Sequence, residues 1–207
     1  VPTYKTDNPE EDTMGYPDTA GQRPESNDVV ALLMNQHAEI RSLLDEVLER
    51  TGEERRHAFQ SLVHLLAVHE TAEEEVVHPY ARRATEGGEH VVADRLKEED
   101  AAKRALKRLE HMDPDGPAFV EEFTALRDSV RAHARAEETY EFTRLLDAGD
   151  PARLQALAKA VRAAEAVAPT RPHPGTETAG KNALFGPPAA VADRARDAVR
   201  KVLGDRG

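Results

Sequence analysis

The chain has 207 residues, 32% of them charged and 4% aromatic, with no Cys, no Trp and a formal net charge of -11. Lacking cysteine, it has neither a disulfide framework nor a thiolate metal site, and its acidity argues against nonspecific binding to nucleic acid or anionic membrane. The abundance of Ala, Leu, Glu and Arg favours helices, and any metal must be held by imidazole and carboxylate, a donor set that suits iron, manganese or zinc.

Residues 1–26 carry Pro, Gly, Asp, Asn and Thr without a hydrophobic period and predict a mobile tail. Val1-Pro2-Thr3-Tyr4-Lys5 does not resemble a signal peptide, and no apolar run approaches the roughly 20 residues that span a bilayer. The expectation is a soluble cytoplasmic protein.

From Asp28 the pattern turns helical, with Val29, Leu32, Leu33, Ile40, Leu43, Leu44, Val47 and Leu48 on one face to about Arg50. Thr51 and Glu54 have the form of a capping box and open a second helix, which carries Leu62, Leu66, Val76 and Val77 to Pro79 or a few residues beyond. Gly87-Gly88 breaks the chain before a third helix with Val91, Val92, Leu96, Leu106 and Leu109. Asp113-Pro114 reads as the start of a fourth, with Phe119, Phe123, Leu126, Val130, Tyr140 and Leu145, and Asp150-Pro151 as the start of a shorter fifth. A Pro- and Gly-rich linker follows from about Ala168 to Pro188, then an amphipathic segment from Ala189 to Leu203. The expected division is a tail over 1–26, a helical bundle with a fifth helix over 27–167, and a linker with a C-terminal helix over 168–207. Short connections between the first four helices predict an all-α, up-down-up-down four-helix bundle.

An internal repeat supplies the chemistry. The second helix reads His69-Glu70-Thr71-Ala72-Glu73-Glu74 and the fourth His133-Ala134-Arg135-Ala136-Glu137-Glu138. In register, Leu62 matches Leu126 and Leu66 matches Val130. Both helices therefore present His-x-x-x-Glu as a continuation of the buried stripe. Four residues is about 400° of rotation, so each His and Glu share a face one turn apart. Burying a carboxylate beside an imidazole is expensive unless something pairs them, and two such pairs point to a shared metal. The first and third helices correspond more weakly: Gln36-His37 with Arg41 lines up with Glu98-Glu99 followed by Lys103. One ligand from each of two helices plus a pair from each of the other two is how carboxylate-bridged dimetal bundles are built.

Other groups have plainer expected roles. His78 lies nine residues after His69, half a turn out of phase in an α-helix, and His57, His64, His90 and His111 also fall off the face. Glu70, Glu74 and Glu138 flank the ligands and can act as outer groups. Tyr140 is expected to pack in the core, and His173 to sit in a surface loop of the linker.

These residues resemble the hemerythrin-like HHE cation-binding family over about residues 28 to 147. The resemblance rests on His37, His69-Glu70-x-x-Glu73, Glu98-Glu99 and His133-x-x-x-Glu137. It implies two Fe ions with an oxo- or hydroxo-type bridging oxygen, Glu73 and Glu137 bridging, and the histidines as terminal ligands. The implied ligand set is His37, His69, Glu73, Glu99, His133 and Glu137. Oxygen-carrying hemerythrins supply two histidines from the third helix, and many HHE proteins at least one. Here that place reads Glu98-Glu99, with Asp94 and Glu98 as a competing register.

Three carboxylates favour the ferric state, which suits reversible O2 carriage poorly. The expected function is therefore binding of O2 or reactive oxygen species, with catalase-like decomposition of peroxide. The alternative is sensing or binding of O2, iron, redox state or nitric oxide without catalysis; a structural or metal-storage bundle is a third reading. O2, peroxide or nitric oxide would be the small ligand, delivered without nucleic acid or membrane, and the sequence identifies no electron donor.

Overall fold

A helix needs its first N–H groups satisfied, and Asp28 does this for α1 (Val29–Glu49), accepting from the Ala31 N–H at 2.8 Å. The computed structural model describes residues 28–84, 87–167 and 188–203. The predicted tail, most of the linker and His173 lie outside the described residues.

Thr51 begins α2 (Gly52–Ala72) but makes no side-chain cap bond, contrary to the expected capping box. Gly52 has a left-handed φ of 59°, and both carboxylate oxygens of Asp115 accept its N–H at 3.0 Å. The cap thus comes from a loop 63 residues further along the chain, which ties two ends of the bundle together. α2 passes into a π-helical turn over Glu73–Val77 and continues as α3 (His78–Ala84).

α4 (Gly88–Leu109) starts after Gly87, whose φ of 73° suits glycine. The start of the next helix falls later than Asp113-Pro114. Asp113 instead turns the loop, its carbonyl accepting from Gly116 at 2.9 Å and its carboxylate from Asp115 at 3.2 Å. Gly116 and Pro117 then open α5 (Pro117–Ala136). A second π-turn, Glu137–Glu141, leads into α6 (Phe142–Ala148). α7 (Pro151–Val167) begins as predicted, with Asp150 accepting from the Arg153 N–H at 3.1 Å.

The two interrupted rods, α2–α3 and α5–α6, make a four-helix bundle with α1 and α4. Its apolar interior is split in two. At one end Ile40, Leu44, Phe59, Leu62, Leu106 and Leu126 surround a phenylalanine group in which Phe119 and Phe123 stack at 5.7 Å. At the other end Leu33, Val68, Phe142 and Leu145 join Leu157 and Val161 of α7 and Val191, Ala195 and Val199 of α8 (Pro188–Leu203). α8 is thus part of the core rather than an appendage. No helix of the described residues is long and apolar enough to cross a membrane. Between the two apolar ends lies a layer of buried histidines and glutamates.

Candidate metal centre

All six residues of the expected ligand set lie in that layer. His37 follows Leu33 on the inner face of α1, and His69 follows Leu66 on α2. Glu73 and Glu137 open the two π-turns, Glu99 comes from the middle of α4 and His133 from the end of α5. Five of the six are buried and His133 nearly so. Donor atoms of His37, His69, Glu73 and Glu137 lie within 4.8 Å of one another, and so do those of Glu73, Glu99 and His133. Glu73 belongs to both groups. Glu137 links them as well, with Oε2 3.3 Å from His37 Nε2 and Oε1 3.1 Å from His133 Nε2.

Neighbouring side chains fix which way each imidazole faces. Gln36 donates from Nε2 to the Glu165 carboxylate at 2.6 Å, which turns its Oε1 toward His69 Nδ1 at 2.7 Å. His69 Nδ1 must then carry the proton. Glu138, held by Arg41 at 2.8 Å, accepts from His37 Nδ1 at 2.8 Å. Glu98, paired with Arg95, accepts from His133 Nδ1 at 2.8 Å. Each ring therefore aims Nε2 inward, the arrangement in which metal-bound histidine is held by its outer N–H.

His37 Nε2 and His69 Nε2 are only 3.0 Å apart. With both Nδ1 atoms donating, their lone pairs face each other, an arrangement relieved by a cation between them. Glu73 is 0% exposed and neither of its oxygens has a hydrogen-bond partner, and Glu137 Oε2 and Glu99 Oε2 are likewise unpartnered. Unpaired carboxylate oxygens in a dry interior are costly. The donor set, imidazole nitrogen and carboxylate oxygen without sulfur, fits iron.

The electrostatics agree. Burial pushes the Glu73 carboxyl well up, reinforced by repulsion from Glu137, Glu99, Glu141 and Glu70. Burial and repulsion from His37 push His69 down, which keeps its Nε2 free to bind metal. His133 runs the other way. Burial opposes its charge, but hydrogen bonds and charge from Glu137 and Glu98 outweigh it and raise it to about 9. Glu137 is the matching partner: burial opposes its charge, but pairing with His133 and the nearness of His37 outweigh it and hold its carboxyl well below the usual range.

The three acidic candidates on the third bundle helix occupy different places. Glu99 is buried in the layer, Glu98 stands outside it on His133, and Asp94 is exposed and paired with Lys97 at 2.8 Å. The flanking glutamates also separate. Glu138 braces His37, while Glu70 and Glu74 meet Lys103 at 3.4 and 2.6 Å.

Two expectations fail for one reason. His78 is buried at 2% exposure with Nε2 2.7 Å from Glu99 Oε1, although α-helical counting turns it away. Tyr140 is 62% exposed rather than in the core. Both lie at π-turns. The His78 N–H donates to the Glu73 carbonyl and the Phe142 N–H to that of Glu137, an i→i+5 pattern. Five α-helical residues end about 140° off the starting face, whereas five π-helical residues come nearly full circle. His78 thus returns to the face of Glu73. In the second turn Glu141 goes inside, 5% exposed, and burial beside Glu137 raises its carboxyl to about 7. Glu141 carried no signal in the sequence; His78 carried one only as the register partner of Phe142, which lies against His37 with ring centres 5.4 Å apart. Among the described residues the other histidines match expectation: His57, His90 and His111 are exposed, and His64 donates to the Gln60 carbonyl at 2.8 Å.

A family model described as the hemerythrin HHE cation binding domain matches residues 28–145. No curated protein matches the chain. Among solved structures, a hemerythrin HHE cation binding domain-containing protein from Mycobacterium kansasii is similar, with a TM-score of 0.59 and 19% identity, over 84% of this chain and 98% of that one. At that identity the likeness is one of fold.

Proposed function

The chain belongs to the hemerythrin HHE cation-binding family, and from that premise we propose that it is a non-haem di-iron protein that binds O2 or reactive oxygen species and decomposes peroxide. The observation that carries this reading is the pair of inward Nε2 atoms 3.0 Å apart beside Glu73, whose two oxygens are buried and unpartnered. His37, His69, Glu73 and Glu137 would hold one iron; Glu73, Glu99, Glu137 and His133 would hold the other. When bound, the iron pair supplies two-electron redox chemistry on a small oxygen ligand.

The protein's own groups supply orientation and protons. Gln36, Glu138 and Glu98 keep the three rings in the tautomer that binds metal. Glu70, raised to about 8 chiefly by burial, and Glu141, raised to about 7, hold protons near neutral pH beside the cluster. A groove of about 540 Å³ between α2, α4 and α8, lined by Ala67, Glu70, Lys103, Leu106 and Arg196, gives a small ligand a way to Glu70. The net reaction, two peroxides giving two waters and one O2, uses the same molecule as oxidant and reductant and needs no electron donor. The carboxylate-rich second position favours ferric iron, which fits turnover of peroxide better than reversible O2 carriage.

Peroxide loss is measured with the iron-loaded protein and with Glu73→Ala. The wild type is expected to accelerate it and the variant to fall to the rate of free iron. Equal rates would remove the enzymatic reading. A second reading, sensing without turnover, draws support from α8: Arg196 and Arg200 reach Glu75 at 2.9 and 3.3 Å, inside the π-turn that begins at Glu73. A protein inert to peroxide, with an α8 whose protease sensitivity follows the redox state of the iron, would favour it.

A further inference from the structure

His78 is a buried histidine outside the ligand set, and its tautomer differs from the other three. His37, His69 and His133 each donate from Nδ1 to an outer acceptor and turn Nε2 inward. In His78 the inner nitrogen, Nε2, lies 2.7 Å from Glu99 Oε1, while Nδ1 has no hydrogen-bond partner. A carboxylate only accepts, so Nε2 carries the hydrogen and Nδ1 the lone pair. A ring in that state has no nitrogen to offer a metal on the Glu99 side. The opposite tautomer would leave a buried N–H orphaned and set a lone pair against a carboxylate, which costs more.

The hydrogen bond occupies one oxygen of Glu99 and leaves the other. Glu99 Oε2 is buried without a hydrogen-bond partner; Lys103 Nζ lies 4.0 Å from it and is already engaged with Glu74 at 2.6 Å. Glu99 is also the carboxylate that stands where the first helix, in the internal correspondence, offers His37. We propose that His78 is the positioning residue for this substituted ligand: it pins Oε1 and presents Oε2 alone to the second metal position. The π-turn is the device that brings it there. Its register partner after the second π-turn, Phe142, lies against His37 and performs no such task.

The inference rests on the di-iron reading and is tested on the 57Fe-loaded full chain. His78→Leu removes the donor; His78→Gln keeps an N–H where Nε2 stood. The readouts are iron per chain, affinity for the second iron, the Mössbauer spectrum, and the number of histidine nitrogens seen by electron spin-echo envelope modulation. His78→Leu is expected to weaken the second iron by about 10- to 100-fold and alter one Mössbauer doublet, with the first unchanged. His78→Gln is expected to restore both, with the nitrogen count constant throughout. Two irons bound by His78→Leu with wild-type affinity and spectrum would overturn the proposal while leaving the di-iron reading intact. So would the loss of one histidine nitrogen in His78→Gln, which would make His78 itself a ligand. If His78→Leu does not fold, His78→Gln decides alone: a retained second iron supports the proposal and a lost one overturns it. A wild type that binds no iron pair overturns both.

Discussion

The α1/α2 half of the centre and the α4/α5 half are built on opposite principles. The first is nitrogen-rich: His37 and His69 meet at 3.0 Å, each ring braced from outside, by Glu138 and Gln36. The second is oxygen-rich, with Glu99 where its counterpart has His37, a single inward imidazole in His133, and Glu141 buried nearby. Glu73 and Glu137 join the halves. The lesson is that a repeated His-x-x-x-Glu frame brings two buried donor groups together, while the residues around the frame decide how unlike the two groups are.

The largest effect is expected where the halves meet. Glu73→Ala should abolish both metal positions, read as loss of bound iron by elemental analysis. The neutral variant Glu73→Gln should melt higher than wild type when both are metal-free at pH 8, because it removes the carboxylate that burial and four neighbouring glutamates most disfavour. A metal-free Glu73→Gln that melts lower would show that Glu73 is satisfied without metal.

Single-half variants test the inequivalence. His69→Ala should cost the nitrogen-rich position while a weakly held iron remains at the other; His133→Ala should do the reverse, and spectra of the two should sum to the wild type. Milder still, Gln36→Ala frees the His69 ring and should weaken metal at the first position alone by about 10- to 100-fold, read by competition with a chelator. Equal losses at both positions would break the division.

The metal-free protein should also carry a pH signature. Glu70 and Glu141 have folded values of about 8 and about 7 against an ordinary 4.5, and Glu73 is displaced the same way. Between about pH 5 and pH 8 the folded state thus holds protons that the unfolded state has released, so stability falls as pH rises. His133, raised to about 9, adds to the fall above 6.5. His69, pushed down, opposes it below 6.5. Glu137 acts only at more acidic pH. Thermal melts should show a lower midpoint at pH 8 than at pH 5.5 without metal, and a flatter profile with iron.

The smallest effect belongs to the surface. Arg196→Ala with Arg200→Ala removes half-exposed pairs with Glu75 and should cost under about 1 kcal/mol, with iron content unchanged.

What could be read from the chain followed α-helical arithmetic. Leu62/Leu126, His69/His133 and Glu73/Glu137 were legible because helices α2 and α5 are regular up to those glutamates. Beyond them the π-turns change the count, and no composition signal marks them: Glu73-Glu74-Glu75-Val76-Val77 reads as ordinary helix. His78 and Tyr140 therefore fall on other faces than the count predicts and Glu141 gives no signal, while Leu145 is buried as its hydrophobicity predicts; the packing of α8 into the core joins elements too distant in sequence for any local pattern to show. The Asp115 cap was illegible for another reason, since it joins elements distant in sequence through a left-handed Gly52.

Two iron positions of unlike chemistry sharing Glu73 and Glu137 would be resolved by Mössbauer spectroscopy of the 57Fe-reconstituted chain, with iron quantified on the same sample. The expected result is about two irons per chain in two quadrupole doublets of equal area. One doublet from about one iron per chain, or no iron retained after desalting, would contradict it.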